Sequence, residues 1–309
     1  LLCSLTVKAE KHDWQNNHIL QINREPARAY FFPYYLKPGD SQMSLDGSWK
    51  FRWTRNPEER IKDFYRVDFD DSHWTQFQVP ANWEVNGYGT PVYISAGYPF
   101  RINPPYVTSE PRQDWTTYIE RDPVGQYRRT FKVSWEGGQT FLRFDGVQSA
   151  FYVWINGKKV GYSQDSFSSS EFNITRYLQP GINQIAVEVY KYSDGSYLED
   201  QDYWRFGGIQ RDITLFHTPD IQIRDYTVRT LPFREEIWEH LGQTDFKSWS
   251  LQINPQLRVF SGEKGKGYKV TGVLSDATGK IISTTMTDAE TILDLSHQPV
   301  NMNEWFPQR

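Results

Sequence analysis

One cysteine, Cys3, occurs in 309 residues. A single thiol excludes an intrachain disulfide framework and a multi-thiolate metal site, so ordinary core packing must hold the fold. The six histidines are scattered. There is no His-Glu-x-x-His, phosphate loop, Gly-x-Ser-x-Gly elbow or dinucleotide fingerprint, which removes the commonest metalloprotease, nucleotide-binding and serine-hydrolase readings. With 34 Lys and Arg against 38 Asp and Glu the net charge is −4. No basic block stands out that would neutralise a phosphate backbone, so nucleic acid is not an expected partner. No run approaches the roughly 18 apolar residues of a membrane-crossing helix, so no membrane span is expected.

Aromatic residues, in contrast, are abundant: 12 Trp, 19 Tyr and 19 Phe make up 16% of the chain. Such side chains suit pleated, half-buried sheet surfaces, and their flat faces also serve carbohydrate binders. The length fits about two domains. At the N-terminus, Leu1-Leu2-Cys3-Ser4-Leu5-Thr6-Val7 is short and mostly apolar, and Val7-Lys8-Ala9 is similar to a small-x-small signal-peptidase site. Residues 1–9 therefore read as a signal-peptide remnant, implying a periplasmic or secreted protein. An ordinary frayed terminus is the alternative.

Residues 10–44 read as an extended N-terminal arm, because they are polar and aromatic without helical period and are interrupted by Pro26 and Pro33. Strand signals begin at Leu45-Asp46-Gly47, where Trp49, Phe51 and Trp53 alternate. A short helix is expected over 56–64, with Pro57 in its first turn and Glu58 and Glu59 at its positive end. Strands are expected over 127–133, 140–144, 151–155, 159–162 and 185–190, and Asn156-Gly157 signals a type I′ hairpin. So many short strands with almost no amphipathic helix argue for an all-β antiparallel sandwich over 45–219. From residue 220 fresh strand signals follow at 221–223, 226–229, 252–259, 268–274 and 281–285, with a short helix at 234–242. Residues 220–309 read as a second, smaller sandwich, truncated inside a longer polypeptide.

Chemistry concentrates in an acidic segment, Ser193 to Gly208, with Asp194, Glu199, Asp200 and Asp202 beside Tyr197, Tyr203, Trp204 and Phe206. A solvated acidic loop is the plain reading. The functional one is a sugar or cation site, since carboxylates bind hard cations and sugar hydroxyls while aromatic faces cover a pyranose. In an extended segment Asp200 and Asp202 share a face, as a glycosidase pair would, but no apolar setting marks either as an acid. The proline-rich stretch from Pro91 to Tyr106 reads as an aromatic loop on the sandwich or as a substrate-facing rim.

These segments carry a resemblance. Asp13-Trp14-Gln15-Asn16, Ile22-Asn23-Arg24, Leu45-Asp46-Gly47-Ser48-Trp49, Val79-Pro80-Ala81-Asn82-Trp83, Asp145-Gly146-Val147, Trp154-Ile155-Asn156-Gly157, Val160-Gly161-Tyr162-Ser163-Gln164-Asp165-Ser166 and the acidic segment through Asp212 occur in order. They resemble the N-terminal part of the large bacterial β-galactosidases of glycoside hydrolase family 2, over about residues 12–229. The resemblance implies a jelly-roll (galactose-binding-like) sandwich, then an immunoglobulin-like β-sandwich, with the catalytic barrel absent from this chain. Both catalytic glutamates and a Mg2+ belong to that barrel, so no catalytic residue is expected here.

What the resemblance assigns is support: Asp202 would bind Na+ and a galactose hydroxyl, and Ser95 would stand where the family has a substrate-contacting asparagine. A hydroxyl lacks the amide's separate donor and acceptor. Pro111 to Arg121 looks inserted relative to the family pattern. The implied partners are a galactoside substrate and the protein's own C-terminal barrel, and a homo-oligomer is allowed. The expected function is the non-catalytic N-terminal portion of a retaining β-galactosidase acting on terminal β-D-galactosides. A free-standing carbohydrate-binding protein is the alternative, and a purely structural scaffold a third reading.

Overall fold

The structure, a computed structural model, describes residues 12–28, 41–199, 202–232, 249–261, 267–288 and 293–294. The chain divides into two compact units, Leu1–Ala27 with Phe32–His217, and Arg28–Phe31 with Thr218–Arg309. Among the described residues it is all-β: helical structure is limited to 3-10 turns of three or four residues, and no helix is long and apolar enough to cross a membrane.

The first unit begins with two short strands, β1 (Gln21–Ile22) and β2 (Gln42–Ser44). Next come β3 (Gly47–Thr54), β4 (Thr75–Val79), β5 (Val92–Ile94) and β6 (Val124–Phe131). β7 (Gln139–Phe144), β8 (Val147–Gln148), β9 (Ala150–Ile155), β10 (Lys158–Gln164), β11 (Ser170–Asn173) and β12 (Asn183–Tyr190) follow. The unit closes with β13 (Tyr203–Arg205), β14 (Gly208–Ile209) and β15 (Ile213–Thr218). A seven-stranded sheet in the order β1-β10-β9-β12-β6-β3-β4 faces a four-stranded sheet, β11-β7-β15-β2. Two small ladders, β13-β5 and β14-β8, lie beside them.

Period-two burial builds the core between these sheets. Trp49, Phe51, Tyr127, Val153 and Val187 point inward from the larger sheet to meet Leu142, Phe144, Phe172 and Leu215 from the smaller. The hairpin between β9 and β10 turns on Asn156 (φ 51°) and Gly157 (φ 76°), the two positive values that a type I′ turn needs. The arm is anchored rather than detached: Trp14 stacks on Tyr190 with ring centroids 4.8 Å apart, and β1 pairs with the edge of β10.

The helix expected over 56–64 does not form. Only Pro57–Glu59 makes a 3-10 turn, because neighbouring strands supply the hydrogen bonds that an α-helix would have made internally. Gln126 bonds both the N–H and the carbonyl of Ile61 (3.2 and 2.8 Å), and Arg128 donates to the carbonyls of Phe64 and Arg66. The segment becomes an irregular cover that lays Phe64 and Trp74 on Trp154.

The second unit holds β16 (Ile221–Pro232), β17 (Trp249–Val259), β18 (Lys269–Ser275), β19 (Ile281–Asp288) and β20 (Leu293–Asp294). They form an antiparallel sheet β16-β17-β20 and a hairpin β18-β19. The two strands expected at 221–223 and 226–229 are one strand, kinked by a register shift between Ile223 and Asp225. The helix expected over 234–242 lies outside the described residues. No sheet among the described residues closes on itself.

Candidate functional site

The Glu199 carbonyl accepts from Arg205 Nη1 (2.6 Å) and from the Tyr203 hydroxyl (3.2 Å), so two side chains of β13 are tied to Glu199, and the exposed Asp202 immediately precedes that strand. The Glu199 carboxylate is held in turn by the Ser166 N–H (2.7 Å) and hydroxyl (2.6 Å), and its burial pushes its pKa upward. Asp200, the partner expected on the same face as Asp202, lies outside the described residues.

β13 pairs with β5 so that Tyr203 faces Ile94, Trp204 faces Tyr93 and Arg205 faces Val92. The ladder ends at Tyr203 and Ile94, and Asp202 and Ser95 each lie one residue past its end. Tyr93 and Trp204 share one face of the ladder, and Asp202 joins that face through Tyr93. That face is open: Tyr93 and Trp204 are each 51% exposed, and Asp202 and Ser95 are exposed too. The Tyr93 hydroxyl donates to Asp202 Oδ1 at 2.5 Å, which raises the pKa of the tyrosine because losing its proton would set two negative charges together. Tyr93 leans on Trp204 (centroids 5.5 Å, 51° between planes), and Trp204 stacks on Phe206 (6.0 Å, 7°). Of the two residues named from sequence, Asp202 is joined to this face through Tyr93, and Ser95 is exposed one residue past β5. Tyr93 as the partner that orients Asp202 shows only once the register is known.

The back of the ladder is fixed to the core. Glu84, on a turn after the cis Val79-Pro80 segment, is buried and pairs with buried Lys191 at 2.6 Å. Its carboxylate also accepts the Gly207 N–H (3.0 and 3.2 Å) just beyond β13, and Lys191 Nζ donates to the Thr90 carbonyl (3.3 Å) just before β5. One ion pair therefore holds both strands. Burial raises the Glu84 pKa, with Lys191 opposing. Beside it the Trp83 indole, bonded to the Tyr127 hydroxyl, is close against three glycines. A Cβ on Gly125 or Gly207 would overlap the Trp83 ring, and one on Gly208 (φ 122°) would come within 2.8 Å of the Ala81 carbonyl. No spacing in the sequence advertised the Glu84–Lys191 pair, because its members are 107 residues apart.

As chemistry, this face offers a carboxylate, two hydroxyls and an aromatic wall. All of its donors toward a cation are oxygens, the set that hard cations take. Among the described residues no group of three or more His, Cys, Asp or Glu that could hold a metal ion converges, and Asp202 is the anionic member of this face.

Comparison with known proteins bears on the family and the fold. Residues 42–219 match the family profile described as "Glycosyl hydrolases family 2, sugar binding domain". A β-galactosidase of Priestia megaterium is 44% identical over 234 residues, which is 71% of this chain but only 22% of that relative's length. Solved structures share the fold. A β-glucuronidase from an uncultured Clostridium aligns with 87% of this chain and 41% of its own at 17% identity (TM-score 0.58), and a Ruminococcus gnavus β-glucuronidase with 85% and 40% at 16% (TM-score 0.56). The ordered motifs, the sandwich they build and these matches place the chain in glycoside hydrolase family 2, as an N-terminal region that carries the family's sugar-binding domain.

Proposed function

We propose that the chain is the N-terminal, non-catalytic portion of a retaining β-galactosidase, and that its first unit lends the Tyr93–Ser95–Asp202–Trp204 face to an active site completed by a C-terminal barrel. The observation that carries this reading is the exposed Asp202 carboxylate, oriented by Tyr93 and walled by Trp204, inside the residues that match the sugar-binding domain. The identity to a β-galactosidase, 44%, supports a terminal β-D-galactoside as substrate. Asp202 would hold Na+ together with a sugar hydroxyl, and Tyr93 and Ser95 are the neutral oxygens beside it. In the oxocarbenium-like transition state the work of this face is to position the ring, while both catalytic carboxylates act from elsewhere. The apolar run before Val7-Lys8-Ala9 supports export to the periplasm or beyond.

The test is Asp202→Asn in the full-length enzyme, with kcat/KM measured on methyl β-galactoside across a sodium titration. Loss of a charged contact to cation and sugar should lower kcat/KM at least tenfold, about 1.4 kcal/mol or more, and flatten the sodium response. Unchanged kinetics and an unchanged sodium response would mean that the unit is only a scaffold.

A further inference from the structure

Ser166 lies on the connection, residues 165–169, by which the chain passes from β10 in the seven-stranded sheet to β11 in the four-stranded one. It is fully buried. The crossing is closed on itself: the hydroxyls of Ser163 and Ser170, at its two ends, share a hydrogen bond of 2.8 Å, and the Asp165 carboxylate accepts the Ser168 N–H at 3.3 Å. Asp165 has φ 92°, a conformation that a residue with a side chain keeps only when its surroundings impose it. Ser166 is therefore held on a rigid corner.

From that corner two contacts reach the segment that carries Asp202. Ser166 donates its N–H (2.7 Å) and its hydroxyl (2.6 Å) to the two carboxylate oxygens of Glu199, and the Phe167 ring meets the Tyr203 ring edge-on at 5.9 Å. Hydrogen bonds to a charged acceptor are roughly twice as strong as neutral ones, and a pair of them also fixes the orientation of the carboxylate. Glu199 passes the restraint to β13 through its carbonyl, bound by Arg205 and Tyr203. Arg205 is itself buried, with its guanidinium 4.1 Å from the Tyr203 ring centre. Asp202 follows Glu199 by three residues and precedes Tyr203 directly. At about 3.8 Å per step its Cα lies no more than about 11 Å from that of Glu199.

We infer that Ser166, through Glu199, is a positioning residue that holds Asp202 where a bound galactoside meets it, although Ser166 touches neither. The inference rests on the galactoside reading above, and the two fail separately. In the full-length enzyme, Ser166→Ala should raise KM for methyl β-galactoside about fivefold and leave kcat within about twofold, because a contact to the sugar is shared by ground and transition states. Glu199→Ala should do the same, and Glu199→Gln, which keeps an oxygen for the Ser166 N–H, should restore most of the loss. In the Asp202→Asn background, Ser166→Ala should change KM no further, since its effect travels through that carboxylate. Amide hydrogen exchange over 202–205 should quicken about tenfold in Ser166→Ala, while β3 and β6 keep their protection.

Unchanged exchange over 202–205 in Ser166→Ala overturns the inference, and Glu199→Ala, at a partly exposed position, decides it in the same way if the first variant does not fold. A KM that rises as much in the Asp202→Asn background as without it also overturns it, because Ser166 would then support the fold alone. The galactoside reading fails by a different measurement, namely no loss on methyl β-galactoside in Asp202→Asn, and the exchange rates then decide the clasp by themselves.

Discussion

Lys191→Met tests the buried ion pair behind the ladder that carries Tyr93 and Trp204. The substitution keeps most of the side-chain volume and removes the ammonium 2.6 Å from Glu84. At an effective dielectric of about 20, that attraction is roughly 6 kcal/mol. Breaking a buried pair from one side costs about 3–5 kcal/mol, because the remaining charge is stranded. Burial already holds the Glu84 pKa above its ordinary range, and Lys191 restrains the rise. A folded-state pKa above the unfolded one means that the native chain binds the extra proton, so stability is full at acid pH and is lost as pH rises through the folded value. Without Lys191 that window extends further upward. The variant should therefore lose about 3–5 kcal/mol at pH 8 and much less at pH 4.5, where the buried carboxyl is protonated. Urea unfolding of both proteins at the two pH values, followed by tryptophan fluorescence, measures the difference, and carboxylates common to both cancel. A loss equal at the two pH values, or under about 1 kcal/mol at pH 8, would refute the role given to the pair.

Two further outcomes follow from the same surface. Gly207→Ala drives a methyl group into the Trp83 ring and should destabilise by about 1–3 kcal/mol, which thermal unfolding would register and which an unshifted transition would contradict. Tyr93→Phe removes the donor to Asp202 Oδ1 from an exposed position. It should leave unfolding unchanged while lowering kcat/KM of the full-length enzyme roughly fivefold, the equivalent of about 1 kcal/mol; equal kinetics would show that Asp202 needs no such partner.

How far the sequence reached depended on whether the determining contacts were local. Period-two alternation at Trp49 and Phe51 and the Asn156-Gly157 turn are properties of adjacent residues, and both appear in the structure as read. The helix expected over 56–64 failed because its competitors, Gln126 and Arg128, come from a strand more than 60 residues away. The split between 221–223 and 226–229 failed for a smaller reason: a bulge shifts the phase of alternation without ending the strand. At the site, the resemblance named Asp202 and Ser95, while composition alone left the acidic run a solvated loop. Tyr93, Glu84 and Lys191 were invisible as a group, since only strand pairing and a buried cross-link bring them to the same place.

The indole of Trp83, pressed against Gly125, Gly207 and Gly208, has a consequence for how recognition can change over time. The ring and the Ala81 carbonyl leave no room for even one added carbon at these glycines, among them Gly207 just beyond the strand that bears Trp204. Added bulk is thereby excluded from the frame, whereas Tyr93, Ser95, Asp202 and Trp204 stand exposed. A rim carried on such a frame can be edited residue by residue without reopening the question of how the domain folds.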